Sequence, residues 1–235
     1  MGRGEGKNRG RRMNDKGKKY KYFLMDFDGT IANTGIGITK GVAYALKHYG
    51  IEVSDLSTLH NFIGPPLSES FQRYFNFSKE QSEEAVVVYR EYYHDKGMYE
   101  SELYSGMVDL LKSVTQKGGK IVVATSKAES IARELLEHFQ VDHYFEFIAG
   151  ASMDLSMHKK ADVIRYAMKT VGISKDDVIM IGDRRQDIFG AKENELPSIG
   201  ILYGFGDRAE LEEAGADYIV DGTKELKELM LEMCE

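Results

Sequence analysis

An apolar run, Phe23-Leu24-Met25, ends in Asp26-Phe27-Asp28-Gly29-Thr30, and this stretch constrains the chain more than any other. On an extended strand, residues i and i+2 point the same way, so Asp26 and Asp28 leave the strand end on one side and the chain turns at Gly29. Two carboxylates held that close repel. Such a pair persists where a cation neutralises it or where one member keeps a proton for acid–base work. The plainer reading is a strand ending in solvated aspartates before an ordinary turn.

Downstream, the pattern is helical from Gly35 to Ser105. Val42, Ala45, Leu46 and Tyr49 recur at helical spacing and Gly50 stands where a helix stops. A loop with Gly64-Pro65-Pro66 precedes a short amphipathic piece carrying Leu67, Phe71 and Tyr74, and Ser78 opens a longer helix with Ala85, Val88, Tyr89 and Tyr92. No strand is expected in this block. After it, apolar strands alternate with amphipathic helices: strands at Ile121–Ala124, Phe145–Ala149, Val178–Ile181 and Ser198–Leu202, with helices between them and a final helix, strand and helix. That alternation predicts an α/β fold, a doubly wound parallel sheet covered on both faces.

Spacing adds a second element. Asp28 and Thr125 are 97 residues apart, whereas a strand–helix–strand crossover takes about 30. The surplus of roughly 70 residues fits an inserted helical cap domain over the strand ends. The expected organisation is a basic leader at 1–19, an α/β core at 20–34 and 105–235, and a cap at 35–104. Ligands of doubly wound sheets sit at the carboxyl ends of the strands beside the topological switch point. Three strands here end in polar chemistry: Asp26/Asp28, Thr125/Ser126 and Asp183/Asp187.

Charge and composition narrow the function classes. The net charge of −7 conceals an asymmetry, because residues 1–22 hold nine Lys/Arg against Glu5 and Asp15, a local +7 that leaves −14 for the rest. An acidic body gives no ground for nucleic-acid binding. The leader is expected to be disordered, an unselected extension or an upstream start codon, with Met13 as the true start, being favoured over a tail for nucleic acid or an anionic surface. Cys234 is the single cysteine, so no intrachain disulfide forms and a cytoplasmic location is expected. No run approaches the roughly 18 to 20 apolar residues of a membrane span.

Each polar constellation has a bland explanation alone. Gly182-Asp183-Arg184-Arg185-Gln186-Asp187 reads as a turn and an acid-favouring helix start, Thr125-Ser126 as a helix cap, and Lys159-Lys160 as a solvated helix start. Their occurrence together is more informative. Carboxylates from two strands can hold one hard cation through oxygen, which suits Mg2+, while a hydroxyl and a lysine opposite hold the oxygens of a phosphate.

In order, Asp26-Phe27-Asp28-Gly29-Thr30, Thr125, the Lys159/Lys160 pair and Gly182-Asp183 with Asp187 resemble the four motifs of the haloacid dehalogenase superfamily, and the resemblance runs from about Tyr22 to the C-terminus. Phe62-Ile63-Gly64-Pro65-Pro66-Leu67 and Tyr203-Gly204-Phe205-Gly206 look like its phosphoglycolate phosphatase-like subgroup with a helical cap. The resemblance implies a Rossmann-like core and a magnesium-dependent phosphatase of a small phosphomonoester, of phosphoglycolate or nucleoside monophosphate type. In that reading Asp26 is the nucleophile that becomes an aspartyl-phosphate, Asp28 the general acid and base, and Thr125 with a lysine the holders of phosphoryl oxygens. Mg2+ is implied at Asp26, Asp28 through its carbonyl, Asp183 and Asp187. Gly29, Thr30, Ser126, Gly64 and Pro65 are expected against the substrate, with Arg73 or Arg90 of the cap selecting it.

The family lysine is often followed by proline, whereas Ala161 follows here; spacing to Val163-Ile164 favours Lys160 over Lys159. Asp28 favours phosphate esters over halides, since a halide leaving group needs no proton. A calcium loop fails on spacing, because its sixth-position glycine falls at Ile31, and a receiver domain is shorter and lacks a cap. A sugar phosphomutase using the same residues and a non-catalytic phosphate-binding module are the alternatives. The expected partner is a small phosphorylated metabolite, with the chain a monomer or homodimer.

Overall fold

A computed structural model of the chain describes residues 17–152, 157 and 159–234. Strand β1 (Tyr22–Met25) leads through a loop to the two-residue strand β2 (Ala32–Asn33). Helices α1 (Gly35–His48), α2 (Leu67–Phe75) and α3 (Lys79–Asp95) follow, and β3 (Glu102–Leu103) pairs antiparallel with β2. The remainder alternates through α4 (Met107–Gln116), β4 (Lys120–Ala128), α5 (Glu129–His138), β5 (Phe145–Ala151), α6 (Lys160–Val171) and β6 (Val178–Gly182). It ends with α7 (Arg185–Glu193), β7 (Ser198–Ile201), α8 (Arg208–Ala214), β8 (Tyr218–Val220) and α9 (Thr223–Met233).

Six parallel strands form one sheet in the order β5-β4-β1-β6-β7-β8, the doubly wound arrangement expected from the alternating pattern. Chain order reverses between β1 and β6, so the tips of those neighbours border the crevice. The strand residues divide by period two. Phe23, Met25, Ile121, Val123, Ile179 and Ile181 join a core with α4, α5 and α9, whereas Leu24, Val122, Ala124 and Met180 join another with α6 and α7. Burial on both faces explains why these strands read as continuous apolar runs.

Helices α1–α3 occupy the stretch between the first two sheet strands. Ser78 caps α3 reciprocally with Gln81, which satisfies two otherwise unpaired amides. The β2–β3 ribbon differs from the strand-free expectation for residues 35–105. Two-residue strands carry no periodicity, and only the chain's return to the core brings Glu102–Leu103 beside Ala32–Asn33. Of the leader expected to be disordered at 1–19, residues 1–16 lie outside the described residues, whereas Lys19 lies within them and donates to the Glu232 carbonyl at 2.7 Å. Among the described residues, no helix is long and apolar enough to cross a membrane.

Close backbone approach fixes α1. A Cβ at Gly37 would lie 1.8 Å from the Gly97 carbonyl oxygen. Gly37→Ala is therefore expected to destabilise by about 1–3 kcal/mol, whereas Gly222→Ala, whose methyl meets nothing within 4 Å, is expected to change stability by about 0.5 kcal/mol or less. Chemical denaturation of both variants checks this; equal stability would mean that α1 does not pack against the 97 turn.

Candidate active site

The loop after β1 turns tightly because the Phe27 carbonyl accepts from the amides of Thr30, Ile31 and Ala32, and Gly29 adopts a φ of +87°. That conformation favours glycine, and space demands it too, since a Cβ there would fall 2.2 Å from Asp183 Oδ2. Asp183 follows β6 directly. Its Oδ2 accepts from the Phe205 amide at 2.8 Å and its Oδ1 faces the Thr30 hydroxyl at 3.4 Å. Gly204 gives further room, a Cβ there lying 2.4 Å from Asp183 Cβ.

Asp26, Asp183 and Asp187 are buried, and one carboxylate oxygen from each lies within 4.8 Å of the others. One ammonium enters this cluster. Lys160 Nζ donates to the Ala124 carbonyl at 3.1 Å and forms ion pairs with Asp26 Oδ1 at 2.7 Å and Asp187 Oδ1 at 2.8 Å. Lys160 lies in the first turn of α6, and its stem occupies space left by Gly190, where a Cβ would lie 2.8 Å from Lys160 Cγ. Lys159 is exposed. Of the two lysines, the structure brings Lys160 to the carboxylates.

Burial raises Asp183 well above the ordinary carboxylate range, and the Asp187 and Asp26 charges add to the effect. Burial also lifts Asp187, to about 6, with Lys160 opposing and Asp26 reinforcing the shift. For Lys160, burial pulls the ammonium down, but Asp187 and Asp26 more than reverse it, so the lysine stands above its usual value. Three carboxylates against one ammonium leave a buried excess of negative charge, and every donor is oxygen. That donor set fits a hard divalent cation. Asp187 Oδ1 is taken by Lys160 and Oδ2 accepts from the Arg184 amide at 3.0 Å, so Asp26 and Asp183 are the better placed to hold the ion directly, with Asp187 holding the lysine.

Thr125 is buried on β4, and its hydroxyl oxygen accepts from the Lys127 amide at 3.2 Å. A register shift between Ala124 and Ala128 re-aims this strand end. Thr125, Ser126, Gly64 and Pro65 line a cavity of about 260 Å³ together with Asp26 and Asp28. Arg90 is half-buried in its wall, whereas Arg73 is exposed, its guanidinium 5.5 Å from the Tyr74 ring centroid. Thr30 and Gly29 lie behind Asp183.

Two cations escaped the sequence reading. Lys127 Nζ lies 2.8 Å from Asp28 Oδ1 and 2.7 Å from the Tyr93 hydroxyl. Its signal was present: Lys127 stands two residues beyond Thr125 on one strand, the same-side spacing that joins Asp26 to Asp28. Arg184 pairs with Glu210 at 3.0 Å and donates to the Ile63 carbonyl beside Gly64, a long-range contact with no local signal.

A doubly wound sheet whose two switch-point strands bring carboxylates to one lysine defines a class of α/β enzymes acting at strand tips. The haloacid dehalogenase-like hydrolase profile matches residues 23–201, and the chain belongs to that family. A 5'-nucleotidase of Pseudomonas aeruginosa is 38% identical over 85% of this chain and 90% of its own. Tyrosine-protein kinase PtkA of Mycobacterium tuberculosis is 33% identical over 93% of this chain and 74% of its own. The crystal structure of a predicted phosphatase from Clostridium acetobutylicum superposes with a TM-score of 0.89 at 48% identity, covering 92% of this chain and all of that one.

The raised carboxyls set a pH dependence. With the folded pKa of Asp187 about 6, the folded state binds more protons than the unfolded between about pH 4 and 6, so this cluster's contribution to stability falls as pH rises through that window. A divalent cation is expected to raise Tm more at pH 8 than at pH 5. Asp183→Asn in chelator at pH 8 is expected to raise Tm by about 2–4 °C, the shift that roughly 1 kcal/mol produces in a chain of this size, and to lose the response to the cation. Thermal melts of both proteins check this, and an unchanged cation response in the variant would place the ion elsewhere.

Proposed function

We propose that this hydrolase is a cytoplasmic magnesium-dependent phosphatase of small phosphomonoesters, with residues 35–104 as a cap over the site and nucleoside monophosphates as the favoured substrates. One observation carries the reading: Asp26, Asp183, Asp187 and Lys160 converge at the strand tips with Thr125 beside them. Both partners of the Asp26 carboxylate among the described residues, the Phe27 amide at 2.7 Å and Lys160, meet Oδ1.

In this reading a carboxylate oxygen of Asp26 bonds to phosphorus while the ester oxygen departs with a proton from Asp28, leaving an aspartyl-phosphate. Asp28 then takes a proton from water, which attacks the phosphorus and frees Asp26. Lys160 and Thr125 hold the transferring oxygens. Magnesium, when bound, supplies charge neutralisation for the dianion. The sugar-phosphomutase and phosphate-binding alternatives use the same pocket, so turnover separates them.

The cavity bears on the substrate. Its wall includes Ile38, Phe62, Val86, Tyr89 and Ile131, an apolar and aromatic surface suited to a planar ring and poorly suited to a two-carbon acid. The relative named a 5'-nucleotidase supports the same preference.

A panel of phosphomonoesters assayed for phosphate release with magnesium and with chelator tests the proposal. Nucleoside monophosphates are expected to turn over faster than phosphoglycolate, chelator to abolish activity, and Asp26→Asn to lower it by about 10³-fold or more. Activity that survives chelation or the Asp26 substitution would refute it.

A further inference from the structure

The pair of Lys127 and Asp28 is buried at a cost that its surroundings must offset. Their side chains are 6% and 13% exposed, so the charges have left most of their hydration, which costs several kcal/mol per ion unless good partners replace the water. Lys127 has such partners in the Asp28 carboxylate, the Tyr93 hydroxyl and two ring faces, Phe27 at 5.6 Å and Tyr93 at 4.9 Å from its nitrogen. The sheet does not require the pair, because β4 is already paired with β1 and β5 through its apolar residues.

Three different elements meet at this ammonium. Lys127 comes from β4, Asp28 from the loop after β1, and Tyr93 from α3 in the helical segment. Tyr93 is itself held, stacked on Tyr89 with centroids 5.1 Å apart and planes at 16°. Tyr89 fills the space beside Gly41 of α1, where a Cβ would lie 2.8 Å from the ring. Placement of the Asp28 carboxyl is therefore linked through one lysine to the seating of α3. Because Lys127 donates to Oδ1, a proton carried by Asp28 resides on Oδ2.

We propose that Lys127 is a positioning residue for Asp28, holding the carboxyl so that Oδ2 faces the departing ester oxygen while Tyr93 of α3 is seated against the lysine. The inference rests on the phosphatase reading above, in which Asp28 protonates the leaving oxygen. Lys127 neither gives nor takes a proton: one proton moves from Asp28 Oδ2 to the ester oxygen as the P–O bond breaks. The consequence is selective, because an alcohol leaving group needs that proton and a nitrophenolate leaves without it.

The test compares kcat/KM for benzyl phosphate and p-nitrophenyl phosphate, esters of similar size, with magnesium in the wild type, Lys127→Met, Tyr93→Phe, Asp28→Asn and the Lys127→Met/Asp28→Asn double variant. This parameter covers steps only through phosphoryl transfer to Asp26, so the later water attack does not enter. Lys127→Met is expected to lower the benzyl value about 100-fold and the nitrophenyl value by less than about threefold, within the range of general-acid contributions. Tyr93→Phe, which keeps the ring, is expected to give the same selectivity at about fivefold, the scale of one hydrogen bond. Adding Lys127→Met to Asp28→Asn is expected to cost nothing further. Equal slowing of both esters, or a further loss in the double variant, would overturn the positioning role while leaving the phosphatase reading intact. A wild type that hydrolyses neither these esters nor a nucleoside monophosphate would overturn the phosphatase reading itself.

Discussion

Three carboxylates share one dry corner of this protein with a single ammonium, and most of the surrounding structure follows from making that tolerable. Asp26 and Asp183 come from two adjacent strand tips and Asp187 from the first turn of α7, and Lys160 reaches Asp26 and Asp187 from the start of α6. Removing the Lys160 ammonium from this cluster would leave the carboxylates uncompensated at a cost of about 3–5 kcal/mol. The local sequence is shaped accordingly: glycines at 29, 182 and 204 leave the volume that the carboxyl groups of Asp183 and Asp187 occupy. Alanine at any of them would put a methyl inside a carboxylate.

The helical segment is bound to this corner by polar threads as well as by packing. Tyr93 reaches Lys127, and the Ile63 carbonyl accepts from Arg184, which Glu210 holds in turn. Both contacts end one step from a carboxylate, Lys127 at Asp28 and Arg184 through its amide at Asp187. Tyr93 and the Ile63 carbonyl thus tie the helical segment to the residues that contact the acids.

The doubly wound sheet was legible because its strands are buried on both faces and its helices on one, so period and apolarity both speak at the level of single residues. Asp26, Thr125 and Asp183 were legible from their positions just past apolar runs. Lys127 was overlooked although it obeys the same i, i+2 rule, because a lysine at a strand end is ordinarily solvated. Spacing to Val163-Ile164 favours Lys160 over Lys159, and in the structure it is Lys160 that meets the carboxylates, one residue of helix rotation deciding which ammonium enters the core. Arg184 and the β2–β3 ribbon depend on contacts between distant segments, 121 residues apart for Arg184 and Ile63, and no local pattern encodes them.

An acidic chain can recognise a doubly negative ester only where its field is reversed, and the proposed function requires a divalent ion between two strand tips to do so. The most direct measurement is an anomalous difference map from a crystal grown with manganese, a hard cation that takes the same oxygen ligands. The account predicts one peak bridging the carboxylates of Asp26 and Asp183. A map with no peak there, or with the ion bound only elsewhere on the surface, would contradict it.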